Sequence, residues 1–308
     1  MKRRLCLPII LALTLAILAG LSGCGEKAVR FPYPMIPPTG GEGELSYELS
    51  PELTFPETAE MEVFRFVPLE ADAGLSAACA ALGVPRDALG EGESGGNFYS
   101  FETEGQRAFL YFDTATGYWQ FRLASHARPC ADPITAETAV EIAKQFITDG
   151  GLYDGDLGEA LIGTETTGSE FEEGGEQLVT WIVTYTPRIA GRAVYGLHRI
   201  SVDVGVDGTI RAVLYQVAPV ELAGTVPLQD WAATEEWLLQ YPQEASASAY
   251  GLQDAVVDGC ELAYYADGYE YDGGLYALPI YVFTGSGAAP DGSTQYFDIM
   301  LTAQSSER

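Results

Sequence analysis

Hydrophobic and polar positions along the chain alternate between two periods, and the order of those periods predicts helices followed by antiparallel strands. Residues 71 to 82 carry Leu75, Cys79 and Leu82 on one helical stripe, ending at Gly83 with Pro85 just beyond. The period then drops to two. Phe98 to Glu102, Arg107 to Phe112 and Tyr118 to Leu123 are aromatic or β-branched runs, separated by Glu104-Gly105 and by Thr114-Ala115-Thr116-Gly117. A second unit opens at Thr135, placed to cap a helix whose Ala139, Ile142, Ala143, Phe146 and Ile147 share a face and which Gly150-Gly151 ends. Leu178 to Thr186 alternates as a strand, and Asp207-Gly208 divides His198 to Val206 from Thr209 to Val217 as a tight primed turn divides a hairpin. In that hairpin Ile200, Val202, Val204 and Val206 fall on one face, with Ser201 and Asp203 on the other. The third unit runs from a helix at Leu228 to Gln240, registered by Trp231, Glu235, Leu238 and Leu239 and stopped by Pro242. Strands at Cys260 to Tyr265, Tyr276 to Thr284 and Tyr296 to Ala303 follow. The expectation is an α+β protein of repeated helix plus antiparallel β-meander modules, at residues 61–130, 131–225 and 226–308. The repetition is architectural, without residue-level identity between units.

What precedes these modules is of another kind. Lys2-Arg3-Arg4 stand before an apolar run over residues 5 to 21, as in a secretory leader. Leu21-Ser22-Gly23-Cys24 closes that run and resembles the lipobox of bacterial lipoproteins. The resemblance implies that residues 1–23 are a signal peptide and that Cys24 receives a diacylglyceryl group as the mature amino terminus. Two acyl chains hold firmly where one is marginal, because each buried methylene contributes about 0.8 kcal/mol. The expected location is the extracytoplasmic face of the cell membrane, lipid-anchored. Residues 24–60 then read as a disordered Pro/Gly-rich tether, with Pro32, Pro34, Pro37, Pro38, Pro51 and Pro56 beside Gly40, Gly41 and Gly43. As a flexible coil such a segment spans roughly 30 to 36 Å.

Charge narrows the partners. The chain has 16 basic and 44 acidic residues, a net charge of -28. Losing Lys2, Arg3 and Arg4 with the leader leaves 13 basic residues and a charge of -31. Such a surface repels nucleic acid and anionic headgroups, so no nucleic-acid partner is expected. Cysteines decide less. Cys79, Cys130 and Cys260 remain beyond the leader and the lipid site, and either one disulfide with a lone thiol or three thiols fits. Their spacing matches no zinc or redox motif.

Motifs for catalysis fail on context. Gly92-Glu93-Ser94-Gly95-Gly96 has nucleophile-elbow spacing but sits between a helix end and a strand, the reverse of what that turn requires. Gly90, Gly92 and Gly95 fit a dinucleotide fingerprint, yet Glu91 and Glu93 would repel a pyrophosphate. His126 lies in a linker and His198 at a strand start, where a structural role is the default. Asp154-Gly155-Asp156 and the run Asp267 to Asp272 begin like calcium loops but place glycine or tyrosine where ligands belong. No catalytic residue, metal or cofactor is expected. Tyr264, Tyr265, Tyr269, Tyr271 and Tyr276 form an aromatic cluster for which sheet packing is the first expectation, and whose outward members could stack on glycan or clasp a peptide as the alternative.

Gly191-Arg192-Ala193-Val194-Tyr195-Gly196, the hairpin from Ser201 to Ile210, Glu261-Leu262-Ala263-Tyr264-Tyr265 and Leu278 to Gly285 resemble PepSY-type modules and the extracytoplasmic part of YycI-like regulators of envelope two-component signalling. The resemblance spans residues 135–303. It implies a non-enzymatic protein that contacts a membrane sensor kinase, although this chain carries a lipobox where those regulators have a transmembrane helix. The functional expectation is a non-catalytic binding or regulatory lipoprotein, whose partner is an envelope protein such as a sensor kinase, or a wall component. The alternatives are an envelope hydrolase using paired carboxylates and a structural lipoprotein.

Overall fold

The computed structural model describes residues 31–36, 46–89, 97–103, 105–168, 175–240 and 251–305. The architecture below belongs to the compact unit that begins at Tyr33. It is mixed α+β, with mostly antiparallel sheets and, among the described residues, three α-helices. Among these residues no helix is long and apolar enough to cross a membrane.

Helix α1 (Ala71–Ala81) and helix α2 (Ala136–Asp149) form where the apolar stripes predict them. Thr135 caps α2 by accepting a hydrogen bond from the Thr138 amide at 3.3 Å, which satisfies one of the free donors of the first turn. Helix α3 (Trp231–Gln240) starts three residues later than its hydrophobic register suggests. Leu228 is instead bridged to Gln304, and Asp230 accepts from the Ala233 amide at 2.9 Å, so the aspartate sets the start.

One seven-stranded sheet is an antiparallel run in the order β3 (Phe98–Thr103), β4 (Gln106–Phe112), β5 (Trp119–Leu123), β10 (Ile210–Gln216), β9 (Arg199–Gly205), β7 (Gln177–Tyr185) and β6 (Ala160–Thr167). The β5–β10 pairing joins strands of the first and second sequence units into a single surface. Helices α1 and α2 cover one face. Leu75, Ala78 and Cys79 of α1 and Ala139, Ala143 and Ile147 of α2 pack with Leu110, Phe112, Trp119, Val183, Ile200, Val202 and Val213 in one core. Gly74 is where α1 approaches most closely, since a Cβ there would lie 2.8 Å from the Phe112 ring.

The turn of the β9–β10 hairpin differs from the two-residue primed turn expected. Gly208 donates to the Gly205 carbonyl and Gly205 to the Thr209 carbonyl, both at 2.8 Å, and of the turn residues only Gly208 has positive φ, at 81°. Val206, Asp207 and Gly208 therefore make a three-residue loop ending in a left-handed glycine. The Asp207 carboxylate accepts from the Thr209 amide at 3.1 Å and binds Arg211, which stabilises this alternative.

The other sheet runs in the order β1 (Tyr47–Leu49), β12 (Gln253–Ala266), β13 (Tyr276–Ala288), β2 (Glu60–Phe66) and β11 (Val220–Pro227), with β14 (Thr294–Thr302) also on β13 and β8 (Val194–Gly196) on β12. Its centre is the long β12–β13 hairpin. Strand β13 shares its second edge between β2, at Tyr276 and Ala277, and β14, from Ile280 to Ala288. Strand β1 lies inside the segment that reads as a tether, paired in parallel with Ala255 to Val257. Phe55 follows it, its ring 5.1 Å from that of Trp231 and 4.6 Å from that of Tyr281. Packing thus begins well before Met61, because these aromatic residues find apolar partners that the proline content conceals.

Candidate functional site

Cys24 and the Gly90–Gly96 motifs lie outside the described residues. The five tyrosines are separated by the structure. Tyr264 and Tyr265 are neighbours on β12 and so point to opposite faces, yet both are buried, at 1% and 8% exposure. Tyr264 meets the Phe64 ring edge-on at 5.6 Å, while Tyr265 joins Ala263, Ile280 and Val282 in a small core against Ile36 and Tyr195. Burial pushes the Tyr264 hydroxyl up to about 12. Tyr271 donates to Asp267 at 3.0 Å, and the same carboxylate accepts from the amides of Tyr269 at 2.9 Å and Met35 at 3.0 Å. Asp267 thereby organises its own loop and fastens an amino-terminal residue to it. Tyr276 is half-buried at the start of β13, and Tyr269 is exposed. Of the five, Tyr269 alone is freely offered to solvent.

One carboxylate of the other acidic loop is also engaged. Asp156 accepts from the Gly158 amide at 3.0 Å and lies 3.7 Å from Arg188. Among the described residues no group of three or more His, Cys, Asp and Glu side chains converges as a metal site would require. Cys79, Cys130 and Cys260 are free thiols, which resolves the alternative that the sequence leaves open. Burial pushes the Cys260 thiol up to about 12, with Glu261 adding to it, so it resists forming the reactive thiolate.

His198 is buried at 2% exposure against the Phe66 ring, 5.2 Å between centroids. Desolvation pushes its pKa down to about 4, and its Nδ1 has no hydrogen-bond partner among the described residues. A neutral imidazole wedged among apolar groups packs the fold and has no access to a substrate.

What the sequence does not single out is the face of the β3–β6 sheet that, among the described residues, no helix covers. Strand register lines up two rows across all seven strands. One row is Ser100, Phe109, Arg122, Ala212, Asp203, Ile182 and Gly163. The other is Phe98, Tyr111, Gln120, Leu214, Ser201, Thr184 and Leu161. Opposite these rows lies the core under α1 and α2, so the side chains of the rows are half-buried or exposed. At the β3–β5 end, Phe98 and Phe109 stack with centroids 5.5 Å apart, and the Arg107 guanidinium sits 5.3 Å over the Phe109 ring. Phe98, Phe109, Tyr111, Gln120 and Arg122 line a concavity of about 400 Å³. Further along, the hydroxyls of Thr184 and Ser201 are bonded at 2.9 Å. Asp203 is pushed up to about 6, by burial first and by the Glu165 charge second. The signal for this face was in the sequence, in the odd-numbered positions Arg107, Phe109 and Tyr111, but those positions look like ordinary strand residues until the helices are seen to cover only the other side.

No protein-family model matches the chain, and no curated protein matches it. Among solved structures, an uncharacterized protein from Eubacterium rectale is similar at 11% identity and a TM-score of 0.38, over 81% of this chain and 84% of that one. The YpeB C-terminal domain of Bacillus megaterium is similar at 9% identity and a TM-score of 0.35, over 75% of this chain and 98% of that domain.

Proposed function

We propose that the protein is a non-catalytic binding or regulatory module, held at the extracytoplasmic face of the membrane through lipid on Cys24, with the uncovered sheet face as its contact surface. One observation carries this reading. A sheet covered by helices on one side presents, on the other, exposed or half-buried aromatic rings beside arginines that a solitary soluble body has no need to display together. The finer architectural reading belongs with it. Helix α1 precedes β3–β5, α2 precedes β6, β7, β9 and β10, and α3 precedes β12–β14, an order that supports successive PepSY-like helix-plus-meander modules. In this reading the partner is an envelope component, either a sensor kinase or a wall polymer, and the lipid keeps the face within its reach.

A photo-cross-linking residue at Tyr111 in intact cells tests the reading, with a second placed at exposed Glu141 on the helical side as control. Envelope adducts are expected from position 111 and not from 141, and Cys24→Ala should abolish them by releasing the protein from the membrane. Equal yields from both positions, or a Cys24 thiol without lipid in the purified native protein, would refute it.

A further inference from the structure

The concavity at the β3–β5 end has a composition at odds with the rest of the molecule. In a chain of 44 acidic and 16 basic residues, its lining among the described residues is three aromatic rings, one amide and one guanidinium, with no carboxylate. Arg122 is exposed, and its guanidinium has no hydrogen-bond or ion-pair partner among the described residues. Arg107 adds a second cation two residues before Phe109 on the same face, already oriented by that ring. Among the described residues the nearest acidic groups are Glu102, paired across from Arg107, Asp113, two residues beyond Tyr111 and engaged by the Ala115 amide and the Thr116 hydroxyl, and Asp203, two strands beyond Arg122 and thus roughly 10 Å away. Arg107 is thus answered by Glu102, and Arg122 is left as the uncompensated cation of the concavity, which favours an anionic group at contact range in an otherwise acidic molecule.

Shape narrows the class. Phe98 is on the edge strand β3, but the other four lining residues sit on β4 and β5, whose main-chain groups are already paired on both sides, so a ligand over the concavity meets mainly side chains. An extended peptide is recognised mainly through free main-chain groups and would go to an edge strand. A pyranose offers an apolar C–H face that an aromatic ring can cover, with hydroxyls around its rim for an amide such as that of Gln120. A carboxylate on the sugar matches the planar fork of Arg122, which donates two parallel hydrogen bonds.

We infer that Phe98, Phe109, Tyr111, Gln120 and Arg122 form a binding site for an acidic saccharide, a chain of carboxylate-bearing pyranoses. Rings stack on the sugar faces and Arg122 takes the carboxylate. The inference rests on the proposed use of this sheet face and adds the chemistry of what it holds.

The test uses the full chain in detergent and isothermal titration with hexagalacturonic acid. Binding is expected, weakened at least tenfold by Arg122→Ala and by Tyr111→Ala, and weakened by added salt in the parent protein. Both positions are exposed, so thermal unfolding of the two variants should match the parent. An uncharged N-acetylglucosamine hexamer should bind at least tenfold more weakly, and a hexaglutamate peptide should not compete. No binding at millimolar probe, equal binding by either variant, equal binding of the uncharged hexamer, or full competition by the peptide would each overturn the assignment. Loss of saccharide binding with retention of the Tyr111 cross-links in cells would refute the ligand class alone. Absence of both would refute the use of the face.

Discussion

Acidification should weaken this fold through His198, and the size of the effect follows from its surroundings. The imidazole is 2% exposed, packed on Phe66, and its pKa falls from 6.5 to about 4 because burial disfavours the charged form. The unfolded chain takes up this proton below pH 6.5, whereas the native state resists it until about pH 4. Stability is therefore fully present above pH 6.5 and is lost progressively as pH falls to about 4, beyond which this residue contributes no further loss. The two pKa values correspond to a change of about 3 kcal/mol. Asp203 acts with the opposite sign, because its raised pKa makes the native state the better proton binder between 3.8 and about 6. The comparison must therefore be between the parent and His198→Leu, in which Asp203 is common to both and drops out. Urea denaturation from pH 4 to 8 measures it. The stability of the parent minus that of the variant should fall by about 3 kcal/mol between pH 7 and pH 4. A difference that stays constant across that range would refute the argument, whatever the absolute cost of the substitution.

Three other outcomes follow from particular residues. Asp203→Asn should raise stability at pH 8 by about 1 kcal/mol, a value discounted for the part of the carboxylate that solvent reaches, and the gain should vanish at pH 4; an equal gain at both pH values would contradict the assigned ionisation. Phe112→Ala should cost about 3 to 5 kcal/mol in chemical denaturation, since its ring is buried under Gly74, while Tyr111→Ala one residue earlier should cost under about 1 kcal/mol; comparable losses would mean that the faces of β4 are misassigned. Alkylation in denaturant without reductant, followed by peptide mass mapping, should label Cys79, Cys130 and Cys260 completely, and in the native protein Cys79, buried in the core, and Cys260, whose thiol burial pushes up to about 12, should both react slowly with thiolate-selective reagents; any unlabelled pair would indicate a disulfide.

Legibility in the sequence tracked how local each signal was. Helices α1 and α2, strands β3, β4, β5 and β7 and the β9–β10 hairpin fall within a residue or two of their apolar patterns, since each pattern reports a single face turned to a core. Strand β6 is not legible in the sequence, because Ala160 to Thr167 is exposed along almost its whole length and carries no alternation. Strand β11 is obscured for a related reason, with Glu221 and Gly224 breaking its pattern and a register shift between Leu222 and Gly224. The tyrosines were visible as a cluster in the chain, but their surroundings were not. Tyr264 and Tyr265 are buried on opposite faces because each finds neighbours from distant parts of the chain, Phe64 beside Tyr264 and Ile36 and Tyr195 around the cluster of Tyr265.

Read alone, the amino-acid order determined periodicity, caps and breaks, and through them an α+β chain of helices followed by antiparallel strands, together with a strongly acidic charge. Those are properties of neighbouring residues, set by the 3.6- and 2-residue repeats of the backbone. Tertiary structure alone decided which strand edges meet, as in β5 with β10 and β2 with β11, and which sheet face the helices leave open. Pairing between distant segments depends on the burial gained over the whole molecule, and a single strand carries no record of what will cover each of its sides.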